Sequence, residues 1–276
     1  MVNILSKILE PEGYHVIKKK KSFFKAWYFI PVLILGLCFC NTKNTNKLTI
    51  AAAANVQFAL DTLADLFEQE TGIPTNIITG SSGKLTAQIL QGAPYDVFLS
   101  ADMKYPEQIY KSGKALNAPV VYAHGSLILW TLKDGIQPDI SILTSDKISR
   151  IAIANPKTAP YGVASMEFLE GMNLYKKVED KLIFGESISQ VNQFITSKSV
   201  DIGFSAESVV LSSGLPDTGH WVRLDNTKYP PLKQGVVIIN RENGKTIEAE
   251  EFFSFILSGQ AKNILSEFGY KTQFPE

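Results

Sequence analysis

The sequence predicts an α/β fold of two lobes, each a mostly parallel sheet with flanking helices, with a ligand cleft between them. Three observations lead there. Short apolar runs alternate with amphipathic helical patterns along the body of the chain. The runs are too many for one βαβ unit and carry no internal repeat. The turn Tyr229-Pro230-Pro231 marks a return crossing late in the chain.

Residues 48–54 are continuously apolar, as in a buried parallel strand. Residues 58–71 follow with Phe58, Leu60, Leu63, Leu66 and Phe67 at helical spacing, and Gly72-Ile73-Pro74 ends that helix. A strand at 75–78 leads to a helix at 82–91, stopped by Gly92 with Pro94 beyond. A strand at 97–100 leads to a helix at 103–112, ended by Gly113. This βαβαβα run argues for a parallel sheet covered on both faces.

A second unit begins near Tyr122, with strands at 127–132, 151–156, 181–184 and 200–204 and helices at 162–174 and 188–196. A strand at 235–240 and helices at 246–257 and 258–268 close the chain. The simplest path builds lobe one from 47–122 plus 226–276 and lobe two from 123–225. Two lobes joined by two crossings make a hinge-closing binder.

The formal charge is zero, but residues 1–40 hold six lysines and two glutamates. Setting those aside leaves 21 basic and 25 acidic residues, a net charge of −4. A mildly acidic body argues against a nucleic-acid partner, which calls for a basic face; the body is expected to act as a monomer. Lys18 to Lys25 form a positive n-region, and 27–39 is an apolar run interrupted by Pro31 and Gly36. That run is short of the roughly 20 residues a membrane span needs and suits a signal peptide. Residues 1–40 are therefore expected to be a signal peptide or lipoprotein leader, and 41–46 a linker; a short uncleaved anchor is the alternative. Both cysteines, Cys38 and Cys40, end the apolar run, so the body has neither a disulfide framework nor a cysteine metal site. They resemble a lipoprotein cleavage site, although Leu37 before Cys38 and Phe39 before Cys40 are larger than usual. The expected location is the periplasm or the outer side of the cytoplasmic membrane, with or without a lipid on Cys38 or Cys40.

Catalytic machinery is hard to find. His15, His124 and His220 are isolated, with no metal-ligand spacing. Gly80-Ser81-Ser82-Gly83-Lys84 lacks the spacing of a nucleotide phosphate loop. Asp96 and Asp102, with Lys84, are the only acid–base candidates, and a turn and a helix cap explain the two aspartates better. The expectation is no enzyme, no catalytic residue, no cofactor and no direct metal ligand.

Binding is better supported. Asn55 and Ser82 stand at successive strand-to-helix turns, where each can cap a helix. Ligands of open parallel sheets bind at these carboxyl ends of the strands. Asn155-Pro156 to Tyr161-Gly162 and Glu186-Ser187-Ile188 are the corresponding turns of the other lobe. Helix N-termini meeting there offer N–H groups and positive dipole ends. Neutral donors of this kind suit a fully ionised dianion, and a protonated phosphate would lack an acceptor for its own proton.

The ordered set Ala52-Ala53-Ala54-Asn55, Gly80-Ser81-Ser82-Gly83-Lys84-Leu85, Gly92-Ala93-Pro94-Tyr95-Asp96-Val97-Phe98-Leu99-Ser100-Ala101-Asp102, Asn155-Pro156 and Tyr229-Pro230-Pro231 resembles the periplasmic molybdate-binding proteins of ABC transporters. The resemblance implies the type II periplasmic-binding-protein fold, molybdate or tungstate as ligand, and a membrane permease as partner. It implies Asn55 as a polar ligand, Ser82 as hydroxyl and N–H donor, and Tyr161 and Ile188 as backbone donors. The family often carries a tyrosine where this chain has Ala206, so one side-chain donor is missing or is supplied by Tyr161. Sulfate or a small organic anion in the same cleft is the alternative.

Overall fold

Leu48–Ala53, a run of apolar residues, forms β1, which lies inside a sheet and is covered almost throughout. The computed structural model describes residues 47–212, 218–242 and 244–273. After β1 come α1 (Gln57–Thr71), β2 (Thr75–Gly80), α2 (Ser82–Leu90), β3 (Val97–Ser100), α3 (Lys104–Lys111) and β4 (Val120–Gly125). The chain continues through β5 (Leu127–Thr131), β6 (Ile151–Ala154), α4 (Pro160–Gly171), α5 (Tyr175–Val178), β7 (Leu182–Gly185), α6 (Ile188–Thr196), β8 (Ile202–Ala206) and α7 (Glu207–Val210). It ends with β9 (His220–Arg223), β10 (Leu232–Ile238), α8 (Thr246–Ile256) and α9 (Gly259–Glu267).

Two five-stranded sheets result, in the orders β2-β1-β3-β10-β4 and β7-β6-β8-β5-β9. They share one plan. Each has three parallel strands, then two more whose neighbours run antiparallel. The sheets are thus mixed. The antiparallel pairs arise where the chain passes between sheets without a crossover helix. Only Ser126 separates β4 of the first sheet from β5 of the second, and residues 224–231 make the return. The first sheet continues to Gly125, past the boundary expected at residue 122.

Each sheet has its own core. Leu60, Leu63 and Phe67 of α1 pack with Phe252 of α8, with the Phe67 and Phe252 rings edge-on at 5.1 Å. In the second half, Trp130, Phe168 and Phe204 are buried together, with the latter two rings 6.1 Å apart. The expected helix at 162–174 starts earlier, at Pro160, a residue suited to a first turn. It breaks before Asn173, which adopts a φ of 54°.

Residues Asn46–Glu276 form one compact unit. The leader expected at 1–40, its two cysteines and the linker at 41–46 lie outside the described residues. Among the described residues no helix is long and apolar enough to cross a membrane.

Candidate functional site

The carboxyl ends of β1, β2, β6 and β7 each run into a helical start, and all four starts line one small cavity. Its walls are Ala53 to Asn55, Gly80 to Ser82, Ala101, Ala159 to Tyr161 and Ile188. Asn55, Ser82, Tyr161 and Ile188, separated by up to 133 positions in the chain, are therefore neighbours around it. No charged side chain is in the lining.

The first sheet brings hydroxyls. Ser81 holds the N-cap position of α2 in extended geometry but makes no capping bond, and Ser82 is the first helical residue. This corrects the expected cap by one position. The Ser81 Oγ is buried and meets no hydrogen-bond partner among the described residues. Ser81 is a residue type that normally caps, and Ser258 does so for α9 by accepting from the Ala261 N–H. A buried hydroxyl left over costs about 1–3 kcal/mol unless something else takes it up. The Ser82 Oγ accepts from the Ala101 N–H at 3.0 Å, which leaves its own proton free to donate. Sequence reasoning did not single out Ser81; its signal was the serine pair itself.

Asn55 is placed at the cavity but does not cap α1. It lies in a 3₁₀ turn, Ala54–Val56, and α1 has no side-chain cap. Its amide hydrogens go to the Gln234 Oε1 and the Tyr270 hydroxyl, both at 2.9 Å. Its carbonyl accepts from the Ser208 Oγ at 2.7 Å and from Tyr270 at 2.9 Å. Asn55 thus ties β10 and the C-terminal segment together through its side chain, whose two donors are both committed there, and reaches α7 through its main-chain carbonyl.

The second sheet brings main chain. Tyr161 and Ile188 are in the first turns of α4 and α6, where N–H groups have no acceptor within the helix. Asn155 shapes the first of these turns: its Oδ1 accepts from the Lys157 N–H at 3.0 Å and its carbonyl from the Ala159 N–H at 2.9 Å. Gly162 has to be glycine, because a Cβ there would meet the Ala154 and Asn155 backbone. The Tyr161 hydroxyl does not replace the missing family tyrosine. It reaches the first crossing, where a Cβ on Gly125 would collide with it and with the Gln234 Nε2. Burial raises the pKa of Tyr161 well above that of an ordinary phenol, as do the neighbouring Tyr270, Tyr229 and Tyr122. That hydroxyl stays neutral. Ala206 is buried at the end of β8 and brings no hydroxyl, and the next residue, Glu207, is gripped by the Arg223 Nε at 3.0 Å to each oxygen.

The acid–base candidates are occupied elsewhere. Asp96 accepts from the Thr49 N–H at 2.8 Å and from Arg241 at 2.6 Å. Asp102 accepts from the Tyr105 N–H at 3.3 Å, and its pKa is raised by burial. Lys84 is exposed and pairs with Glu186, which precedes α6. The same helix start reaches the other half through the Gly83 N–H, which donates to the Thr158 carbonyl at 2.9 Å. Among the described residues no group of three metal-ligating side chains exists.

Residues 48–271 match the family model described as bacterial extracellular solute-binding protein. The molybdate-binding protein ModA of Azotobacter vinelandii is 33% identical over 86% of this chain and 94% of its own length. That of Rhodobacter capsulatus is 31% identical over 87% of this chain and 94% of its own. A putative ABC transporter substrate-binding lipoprotein, YvgL of Bacillus subtilis, is 28% identical over 92% of this chain and 99% of its own. The solved structure of the Azotobacter vinelandii periplasmic molybdate-binding protein superposes with a TM-score of 0.78 at 32% identity, covering 83% of this chain and all of that one.

Proposed function

The chain belongs to the bacterial extracellular solute-binding protein family, and from that premise we propose that it captures molybdate or tungstate outside the cytoplasmic membrane and delivers it to an ABC permease. The observation that carries the reading is the unpartnered, buried Ser81 hydroxyl in a cavity lined by neutral residues. An anion there accepts hydrogen bonds from the Ser81 and Ser82 hydroxyls on one side and from main-chain N–H groups near Tyr161 and Ile188 on the other. The dipole ends of α2, α4 and α6 add positive potential without a counter-charge. A neutral cage recognises shape and full ionisation. A protonated oxyanion would bring a donor that finds no acceptor, costing about 1–3 kcal/mol.

Since both sheets supply donors, the bound anion bridges the halves and favours the closed arrangement. Asn55 belongs to this scheme through its position and backbone, while its amide holds the hinge. The protein binds and does not turn over its ligand. Residues 1–40 serve as the export leader, either a signal peptide or a lipoprotein leader whose lipid on Cys38 or Cys40 would keep the protein at the membrane; mass analysis of the exported N-terminus distinguishes cleavage, lipidation and an uncleaved anchor.

Calorimetric titration with molybdate, tungstate, sulfate and phosphate tests the binding reading. Heat with the first two and little with phosphate is expected. Absence of both heat and thermal stabilisation with molybdate and tungstate would overturn it.

A further inference from the structure

A second cavity, of about 550 Å³, shares no lining residue with the first and lies against the two crossings between the sheets. Its floor has an unusual pattern. His124 of β4 is directly opposite Lys233 of β10, and on its other side it bridges Lys271 of the C-terminal segment. His124 and Lys271 exchange both main-chain hydrogen bonds, at 2.8 and 2.9 Å. Residues opposite one another in a ladder present their side chains on the same face, so three basic groups stand in one row. No carboxylate is in the lining, and among the described residues no ion pair involves Lys233 or Lys271.

We infer that this cavity is a second anion site, which takes a small organic anion bearing two or more negative charges. Its size is that of a small-molecule pocket, about 300–1,000 Å³. Val121, Pro231 and Leu232 form apolar wall, which suits a carbon skeleton over a bare inorganic ion. Ser126 and Asn226, one from each crossing, add hydrogen-bonding groups to the lining. Burial lowers the His124 pKa, as do Lys233 and Lys271, the direction expected for a cation crowded by cations. A bound polyanion reverses that electrostatic crowding. Because Ser126 and Asn226 stand in the crossings themselves, an occupant also touches the segments that must bend when the halves move.

Titration of the protein, saturated with molybdate, with citrate and separately with 3-phosphoglycerate tests the site and tells polycarboxylate from organophosphate. Binding of one of them with a stoichiometry of one is expected. The Lys233→Gln/Lys271→Gln double variant should weaken it at least tenfold, and the ring resonances of His124 should show a higher pKa in the complex. The Ser81→Ala/Ser82→Ala variant should bind the same anion unchanged. No binding of either anion, binding indifferent to the two lysines, or binding lost with the two serines would overturn the inference. The last outcome would place these anions in the strand-end cavity. Molybdate binding is read separately, so failure of one site leaves the other standing.

Discussion

The two halves of this protein share a strand plan but contribute to the cavity in different chemical forms. The β2 end supplies two serine hydroxyls, whereas the β6 and β7 ends supply main chain at Tyr161 and Ile188. A side-chain donor can be deleted by one substitution. A main-chain donor survives most substitutions, since the helix start itself carries it. Under the proposed binding mode, the first half is where selectivity is exposed to mutation, and the second half is where binding is protected from it.

The largest expected effect breaks that protection. Ile188 is the first residue of α6, a position where proline is tolerated, and Ser187 before it is already extended (φ −146°, ψ 174°). Ile188→Pro thus removes the N–H while keeping the helix start. It should weaken molybdate binding by about 1.5–3 kcal/mol, the range for hydrogen bonds to charged groups. Ile188→Val, which keeps the N–H, should bind normally by calorimetry.

Next come the hydroxyls. Ser81→Ala and Ser82→Ala should each weaken binding by about 1–3 kcal/mol. Their effects on the ligand-free protein should differ. Ser81→Ala removes a buried hydroxyl with no partner, so its melting temperature should hold or rise. Ser82→Ala strands the Ala101 N–H and should destabilise by about 1 kcal/mol. Asn55→Ala should reverse the balance. It leaves Gln234 and Tyr270 short of partners inside the hinge, so thermal unfolding should report a loss of about 1–3 kcal/mol.

The smallest effect is at the rim. Lys84 and Glu186 join the halves but are both exposed and outside the cavity lining. Lys84→Ala should change affinity by no more than about 1 kcal/mol, and less at high salt. Affinity should also be flat between about pH 6 and pH 9, because the one titratable lining residue, Tyr161, has its pKa raised further. A slope in that range would mean that a charged group enters the cavity.

What could be read from sequence divides along the same line of local against distant. Apolar runs and helix stops are local, and they located the βαβαβα half and most of the second half. Ser82 was visible because a helix start needs only its neighbours. Ser81 was missed because a one-residue shift of the helix start exchanges cap for donor. Asn55 was expected to reach a ligand, and its amide is instead taken by Gln234 and Tyr270, 179 and 215 positions away. No spacing rule reports such partners. The contact of Lys84 with Glu186, 102 positions away, is equally invisible to spacing. β4 escaped notice as part of the first sheet because its partner, β10, arrives only after the whole second sheet is built.

A crystal structure of the molybdate complex tests the central claim most directly. The account predicts the anion between the α2, α4 and α6 starts, with oxygens at hydrogen-bonding distance from the Ser81 and Ser82 hydroxyls and from N–H groups at Tyr161 and Ile188. Molybdate found against Lys233 and Lys271 instead, or held by a charged side chain, would contradict it.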